Sequence, residues 1–173
     1  LSSSSAASDV YKRQEITGLH HITSMASNAD ANNVFFTKTL GLRRVKKTVN
    51  FDAPEVYHLY YGDEIGTPGS VMTYFPFAKM SPGQRGAGEV SITEFAVPKD
   101  ALGFWKERLS ALGVSSLIES SFLGEKRLSF DGPDGDGFAL VESDVRDRTP
   151  WAEADVPEDC LLYTSDAADE EDS

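Results

Sequence analysis

Apolar and polar positions alternate through the segment "ITGLHHITSMA" near the start of the chain, and this alternation predicts a β-strand. The next segment, "NADANNVFFTKTLGL", places its apolar residues on one side of a helix, between an N-cap at Asn28 and a stop at Gly41. Three β-prone runs follow, "RRVKKTVNF", "VYHLYYGD" and "SVMTYFPF", and Pro- and Gly-containing turns separate them. The pattern therefore predicts the order βαβββ.

The same order begins again about 70 residues later. A strand "VSITEFAVP" precedes a helix "KDALGFWKERLSALGV", and three further β-prone runs lie near "SLIESSF", "KRLSFDG" and "FALVESD". We therefore predict an α+β fold of two βαβββ modules that form curved mixed sheets, with helices near 30–40 and 100–112. The predicted organisation is a first module at 15–80, a linker loop at 81–89, a second module at 90–145 and a linker at 146–159, with the ends 1–14 and 160–173 set apart.

The two ends are set apart because "DVYKRQ" and "CLLYTS" are related as DNA rather than as peptides. A DNA sequence that encodes the first peptide has a reverse complement that, shifted by one base, encodes the second. This DNA sequence resembles a transposon end used in library construction. We interpret 1–14 and 160–173 as adapter-derived and expect them to make few contacts with the domain. The alternative is a natural low-complexity arm and a disordered acidic tail.

Composition restricts the classes of partner. The chain of 173 residues has 16 Lys and Arg against 28 Asp and Glu, and without the two ends the count is 14 against 22, a net charge of −8. An acidic domain is poorly suited to a nucleic-acid backbone, so we expect no nucleic-acid partner. No apolar run approaches the roughly 20 residues that span a bilayer, and no signal peptide is evident, so we expect no membrane partner and a cytoplasmic location. Cys160, the only cysteine, lies in the set-apart tail.

Several motifs carry a resemblance to a known family. "GLHHIT", "LGLRRVKKTVNFD", "YHLYYGDEIGTPGSVMTYFPF" and "FAVP", in this βαβββ order, resemble the vicinal oxygen chelate superfamily of glyoxalases, bleomycin-resistance proteins and extradiol dioxygenases. These motifs most resemble the N-terminal half of hydroquinone-type ring-cleaving dioxygenases. This implies an enzyme of aromatic compound degradation that uses Fe(II), with Mn(II) as the alternative, and takes a small aromatic substrate and O2. We expect the intact protein to be active and this fragment to be inactive. Whether the protein forms a homo-oligomer is left open by the sequence.

Two alternatives remain at this stage. One is a metal-free ligand-binding protein of the bleomycin-resistance type, and the other is a glyoxalase-like metal-dependent isomerase or transferase whose site is assembled across a dimer. A continuing reading frame with a further histidine strand would favour the dioxygenase, whereas a stop codon would favour the other two.

The two adjacent histidines must face opposite ways if they share a strand, so only one can enter the concave cup. The resemblance implies that this one is His21, a metal ligand through a neutral ring nitrogen, with His20 as a neighbour that orients or packs. Iron(II) that also binds substrate and oxygen prefers two histidines and one carboxylate on one face. The competing interpretation is that both histidines are ordinary hydrogen-bonded strand residues.

The remaining ligands are not evident in this sequence. Glu142 and Glu94 are weak carboxylate candidates, and Glu142 lies one residue beyond the expected position. His58 and Tyr60, with His20, are candidates for the substrate cup, although a strand histidine between tyrosines is an equally good interpretation for His58. The resemblance implies that the missing ligands come from a later half, so we expect no second histidine and no well-placed carboxylate within coordination reach of His21. No catalytic residue is assigned.

Three other motifs predict ordinary structure. "SPGQRGAG" lacks the Gly-Lys-Ser/Thr of a phosphate-binding loop and leads into a strand, so an inter-module loop is predicted. "DGPDGDG" lacks the later glutamate of a calcium loop and predicts a hairpin turn. "RRVKK" predicts a solvated edge strand, because alternation divides its charges between two faces.

Overall fold

The computed structural model describes residues 18–144 and 149–168. The first module runs β1, α1, β2, β3, β4, and its helix α1 continues into a π-helix at Phe35–Thr39. The bounds of these elements are β1 His21–Ala26, α1 Ala29–Val34, β2 Arg43–Val49, β3 Tyr57–Gly62 and β4 Val71–Pro76. The sheet order is β1-β4-β3-β2, with β1 parallel to β4 and the other neighbours antiparallel.

The second module repeats this arrangement. Its elements are β5 Ile92–Val97, α2 Leu102–Ala111, β6 Ile118–Phe122, β7 Glu125–Asp131 and β8 Gly137–Glu142. The sheet order is β6-β7-β8-β5, again with the first strand parallel to the last, and β9, Thr164–Ala168, extends the sheet beside β5. The predicted pair of βαβββ modules is confirmed, and both helices lie where the sequence places them.

Local signals explain the first helix. Asn28 Oδ1 accepts the backbone N–H groups of Asp30 and Ala31, both at 2.9 Å, which satisfies donors that a helix start leaves unpaired. Gly41 follows the π-helix with φ at +72°, and a Cβ there would lie 2.8 Å from the side chain of Val156. Glycine is therefore required both for the left-handed backbone and for the close approach of a later segment.

The core joins the two modules through aromatic rings. Phe138 of β8 contacts Phe35 and Phe36 of the π-helix, with ring centroids 5.6 and 5.9 Å apart. On the second sheet, Phe138 lies beside Phe95 and Phe130. Because strand β8 and the π-helix belong to different modules, this cluster couples their stabilities.

The "DGPDGDG" segment forms the β7–β8 hairpin turn that its sequence predicts, and it also connects the modules. Asp136 accepts hydrogen bonds from Tyr74 Oη at 2.8 Å and from Ser24 Oγ at 3.2 Å. Burial raises the pKa of the Asp136 carboxyl, and burial followed by the charge of Asp136 raises the pKa of Tyr74 well above its usual value. Asp134 accepts the backbone N–H of Ser27 at 2.9 Å. The turn thus attaches the second module to the end of β1.

The prediction that residues 160–173 make few contacts is wrong for the part of that segment that the structure describes. Leu161 and Leu162 are 3% and 5% exposed and belong to the core. Trp105 of α2 donates its indole N–H to the carbonyl of Cys160 at 2.8 Å, and β9 pairs antiparallel with β5. The physical reason is twofold. Three consecutive apolar residues, Cys160 to Leu162, are buried in the core, and the strand that follows them pairs with an edge of β5 that would otherwise be open. Residues 1–14 and 169–173 lie outside the described residues, as does 145–148 of the predicted linker.

Ending the chain at Asp159 should therefore lower the free energy of unfolding by at least about 3 kcal/mol, since each fully buried apolar side chain contributes about 1.5–3 kcal/mol. Urea-induced unfolding of the two chains measures the difference. A chain ending at Ala168 is the matched control, because it removes no described residue. Equal stability of all three chains would show that the tail does not pack and would favour the adapter interpretation.

Candidate functional site

Strand register defines the exposed face of the first sheet. Thr23 of β1 pairs with Thr73 of β4, which pairs with Tyr60 of β3, and the Oγ1 atoms of Thr23 and Thr73 are 2.8 Å apart. Residues two positions away share this face, so His21 and His58 belong to it as well. We call this surface the first cup face; its residues are His21, Thr23, Met25, His58, Tyr60, Thr73 and Phe75.

His21 is exposed on the first cup face, and its ring contacts that of His20. The Nδ1 atoms of the two rings are 3.0 Å apart, so one of them carries the proton that the other accepts. His20 is thus a neighbour in contact with His21, whereas the expected absence of a second ligating histidine and of a well-placed carboxylate stays a prediction. Strand β1 begins at His21, so His20 precedes the strand and is not bound by its alternation.

This geometry suits a metal-ligating imidazole. Such a histidine binds metal through one ring nitrogen and donates the other N–H to a partner that fixes its orientation. Because His20 occupies the Nδ1 side of His21, the Nε2 atom of His21 is the nitrogen left for a metal. His21 therefore fits one position of a ligand set, with His20 as the orienting partner.

His58 and Tyr60 form a pair on the same face. The Tyr60 hydroxyl lies 2.7 Å from His58 Nδ1, and the His58 ring stacks on Phe75 with centroids 4.0 Å apart. Burial, followed by the charges of His21 and Lys46, lowers the pKa of His58. The Nε2 atom of His58 is buried and has no hydrogen-bond partner among the described residues.

The second module carries different residues at the equivalent register positions. Its third β5 residue, Glu94, pairs with Ala139 of β8, which pairs with Ser129 of β7. Glu94 thus corresponds to Thr23, and by the same register Ile92 corresponds to His21 and Arg127 to His58. Arg127 Nη1 lies 2.8 Å from Glu94 Oε1, so this carboxylate is already paired within its own sheet.

Glu142, the other carboxylate candidate, lies on the opposite face of the second sheet from Glu94. It pairs in register with Val97, which is 1% exposed in the core, and its Oε1 accepts the backbone N–H of Asp100 at 3.0 Å just before α2. Its Oε2 lies 3.6 Å from Lys126 Nζ. Glu142 therefore positions the turn before the helix.

Within 18–144 and 149–168, no group of three or more His, Cys, Asp or Glu side chains could hold a metal ion. Among the sequence candidates, the structure places His21, His58 and Tyr60 on the first cup face, with His20 in contact with His21, and it places Glu94 and Glu142 on the second sheet. The residues present fit a single metal ligand with its orienting partner.

Sequence reasoning missed the cavity at one end of the first cup face. This cavity, of about 760 Å³, is lined by Met25, Phe75 and residues of the 77–91 loop, together with the β7–β8 turn. Arg85 holds the loop against that turn by donating to the Gly135 carbonyl at 2.7 Å. Alternation could have placed Met25 on the face of His21, but nothing in the loop's composition indicated that it lines a cavity. Across the described ranges, no helix is long and apolar enough to cross a membrane.

No family model matches the chain. It is 45% identical over 134 residues to MhqE of Bacillus subtilis, which is named as a ring-cleaving dioxygenase, covering 78% of this chain and 44% of that protein. It is 39% identical over 153 residues to the chlorohydroquinone/hydroquinone 1,2-dioxygenase of Sphingobium indicum, covering 86% of this chain and 48% of that protein. The chain thus spans about half the length of the curated relatives it matches.

Solved structures agree on the architecture. A crystal structure from Bacillus subtilis, of a protein named as a dioxygenase, aligns with a TM-score of 0.81 at 38% identity, covering 86% of this chain and 47% of that one. The fosfomycin resistance protein FosX of Listeria monocytogenes shares the fold, with a TM-score of 0.58 at 18% identity, covering 76% of this chain and 97% of that one. The chain has the fold of these proteins, and its relatives and structural neighbours are consistent with the vicinal oxygen chelate superfamily. Within it, the sequence is similar to ring-cleaving dioxygenases.

Proposed function

We propose that this chain is the N-terminal half of a ring-cleaving dioxygenase of the hydroquinone type, which uses Fe(II), or Mn(II) as the alternative, and cleaves a small phenolic ring with O2. The observation that carries the proposal is the placement of His21, which is exposed on the first cup face with its Nδ1 held by His20. The similarity to a named hydroquinone dioxygenase supports the choice of substrate class.

The residues of this chain have a limited set of tasks in that reaction. His21 would provide one metal ligand, and His20 would fix its ring orientation. The bound metal would activate the phenol and oxygen. Met25 and Phe75 offer apolar surface against which a flat ring can pack, in the cavity that the 77–91 loop helps to line. The second module serves as support. Its position equivalent to His21 is Ile92, which cannot bind a metal, and its charged residues Arg127 and Glu94 pair with each other.

The relatives are about twice as long as this chain, so the further ligands and the opposite wall of the cup are expected in a second half. We call the chain continued to the length of its relatives the extended protein. Sequencing the gene beyond codon 159 should show an open frame that contains a further histidine strand and a late glutamate strand.

Activity of the extended protein tests the proposal. Loaded with Fe(II) without oxygen and then mixed with hydroquinone and air, it should consume O2 and hydroquinone in equal amounts. The 173-residue chain under the same conditions is the control and should do neither. An extended protein that binds phenols without metal and leaves them intact would instead favour a binding protein of the bleomycin-resistance type.

A further inference from the structure

The internal repeat provides a comparison for each polar residue on the first cup face. His58 and Arg127 occupy equivalent register positions in the two modules, as do Thr23 and Glu94. In the second module the polar side chain at this position has a charged partner, because Arg127 Nη1 lies 2.8 Å from Glu94 Oε1. In the first module Thr23, the equivalent of Glu94, bonds Thr73 instead of His58.

The pair of His58 and Tyr60 is held in place from several sides. The His58 ring lies between Phe75 and Tyr60, with ring centroids 4.0 and 4.1 Å away, and its Nδ1 holds the Tyr60 hydroxyl. The ammonium of Lys46 lies 5.4 Å from the centre of the Tyr60 ring. These contacts fix the direction of one hydroxyl group on a face that is otherwise open. Fixing polar groups in this way is the usual means by which a protein pre-organises a binding site.

The position of this hydroxyl group suits a ring bound next to His21. Tyr60 lies on β3 and is in register with Thr23 of β1, across β4. His21 is two residues further along β1, so the backbones of Tyr60 and His21 are roughly 12 Å apart. Both side chains rise from the same face into the space between them. When the Tyr60 hydroxyl donates its hydrogen bond to His58 Nδ1, the lone pairs of the phenolic oxygen remain available to accept a hydrogen bond from a ligand.

We propose that Tyr60 accepts a hydrogen bond from the second hydroxyl group of a dihydroxylated aromatic substrate, and that His58 is the positioning residue that orients the Tyr60 hydroxyl. The inference rests on the proposed function, because it assumes that a phenolic ring lies on the first cup face. It adds a basis for selectivity, since a ring with a single hydroxyl group would leave Tyr60 unmatched.

The test compares two ligands that differ by that group. Dissociation constants of hydroquinone and phenol are measured on the extended protein, loaded with Fe(II) in the absence of oxygen. Wild type should bind hydroquinone about three- to tenfold more tightly than phenol, the value of one neutral hydrogen bond. Tyr60→Phe should lose this preference by weakening hydroquinone binding, while its affinity for phenol stays within twofold.

Two substitutions at His58 separate positioning from packing. His58→Phe keeps the ring that stacks on Phe75 and removes Nδ1, so it should lose the preference as Tyr60→Phe does. His58→Asn keeps a polar atom near the Nδ1 position and should retain part of the preference. Tyr57→Phe is the matched control, because Tyr57 lies on the same strand but on the other face, and it should leave the preference intact.

The outcomes distinguish this inference from the proposed function. If Tyr60→Phe retains the full preference for hydroquinone, or if Tyr57→Phe loses it equally, the assignment of Tyr60 is overturned while ring cleavage by the wild type still supports the proposed function. If the wild-type extended protein binds neither phenol nor hydroquinone, both are overturned. A loss of preference in His58→Asn as large as in His58→Phe would overturn the positioning role of His58.

Discussion

Replacing His21 by alanine in the extended protein should abolish ring cleavage and iron retention. A partner that merely orients a ligating histidine is worth about 10- to 100-fold in metal affinity or activity, and removal of the ligand itself should exceed the upper end of that range. The 173-residue chain carrying the same substitution should unfold at the same urea concentration as its parent, because His21 is exposed. Iron content after gel filtration and the rate of O2 consumption measure the effect.

His20→Ala is the matched comparison, since it removes the neighbouring imidazole of the same exposed pair. Without its orienting partner the ring of His21 gains freedom, so activity should fall by about 10- to 100-fold and some iron should remain bound. Full activity and stoichiometric iron in the His21→Ala protein would contradict the assignment of His21. Equal losses from the two substitutions would indicate that both histidines are ligands.

The fold could be predicted from the sequence because local and global signals agree. The βαβββ order occurs twice in the sequence, and the glycines at the helix ends, Gly41 and Gly113, both have positive φ angles. The π-helix at Phe35–Thr39 could not be predicted, because its wider turn depends on the packing of Phe35 and Phe36 against the other module.

The candidate site was predictable only as far as strand alternation reaches. Alternation places His21 and Thr23 on one face of β1, and only the registers of the first sheet place Tyr60 of β3 on the same face. The same rule places Glu142 on the face of Leu140, which is fully buried in the core. The contact between His20 and His21 lies beyond the rule, since it depends on where β1 begins.

The C-terminal segment shows a different limit of sequence reasoning. A relation between two stretches of DNA addresses the origin of a peptide, but packing depends only on the side chains that the peptide presents. The run Cys160 to Leu162 is apolar and belongs to the core, where the carbonyl of Cys160 accepts the indole N–H of Trp105. The origin of the segment stays a prediction, whereas its expected lack of contacts is wrong for these residues.

Phe138→Ala should lower the free energy of unfolding of the 173-residue chain by about 3–5 kcal/mol, the usual cost of removing a buried phenylalanine side chain. Phe138 is 1% exposed, and its ring contacts those of four other phenylalanines, two from each module. The loss combines the transfer of the ring to water with a cavity at the junction of the modules. Urea-induced unfolding followed by tyrosine and tryptophan fluorescence measures the change.

Phe51→Ala is the matched control, because the same side chain is fully exposed there, and surface substitutions usually change stability by about 0.5 kcal/mol or less. The shape of the transition carries further information. Since Phe138 joins the π-helix of one module to the sheet of the other, the parent chain should unfold in one cooperative transition. Phe138→Ala should uncouple the unfolding of the two modules more than a substitution that leaves a cavity inside either sheet. A loss below about 1 kcal/mol would show that the modules are not coupled through this cluster.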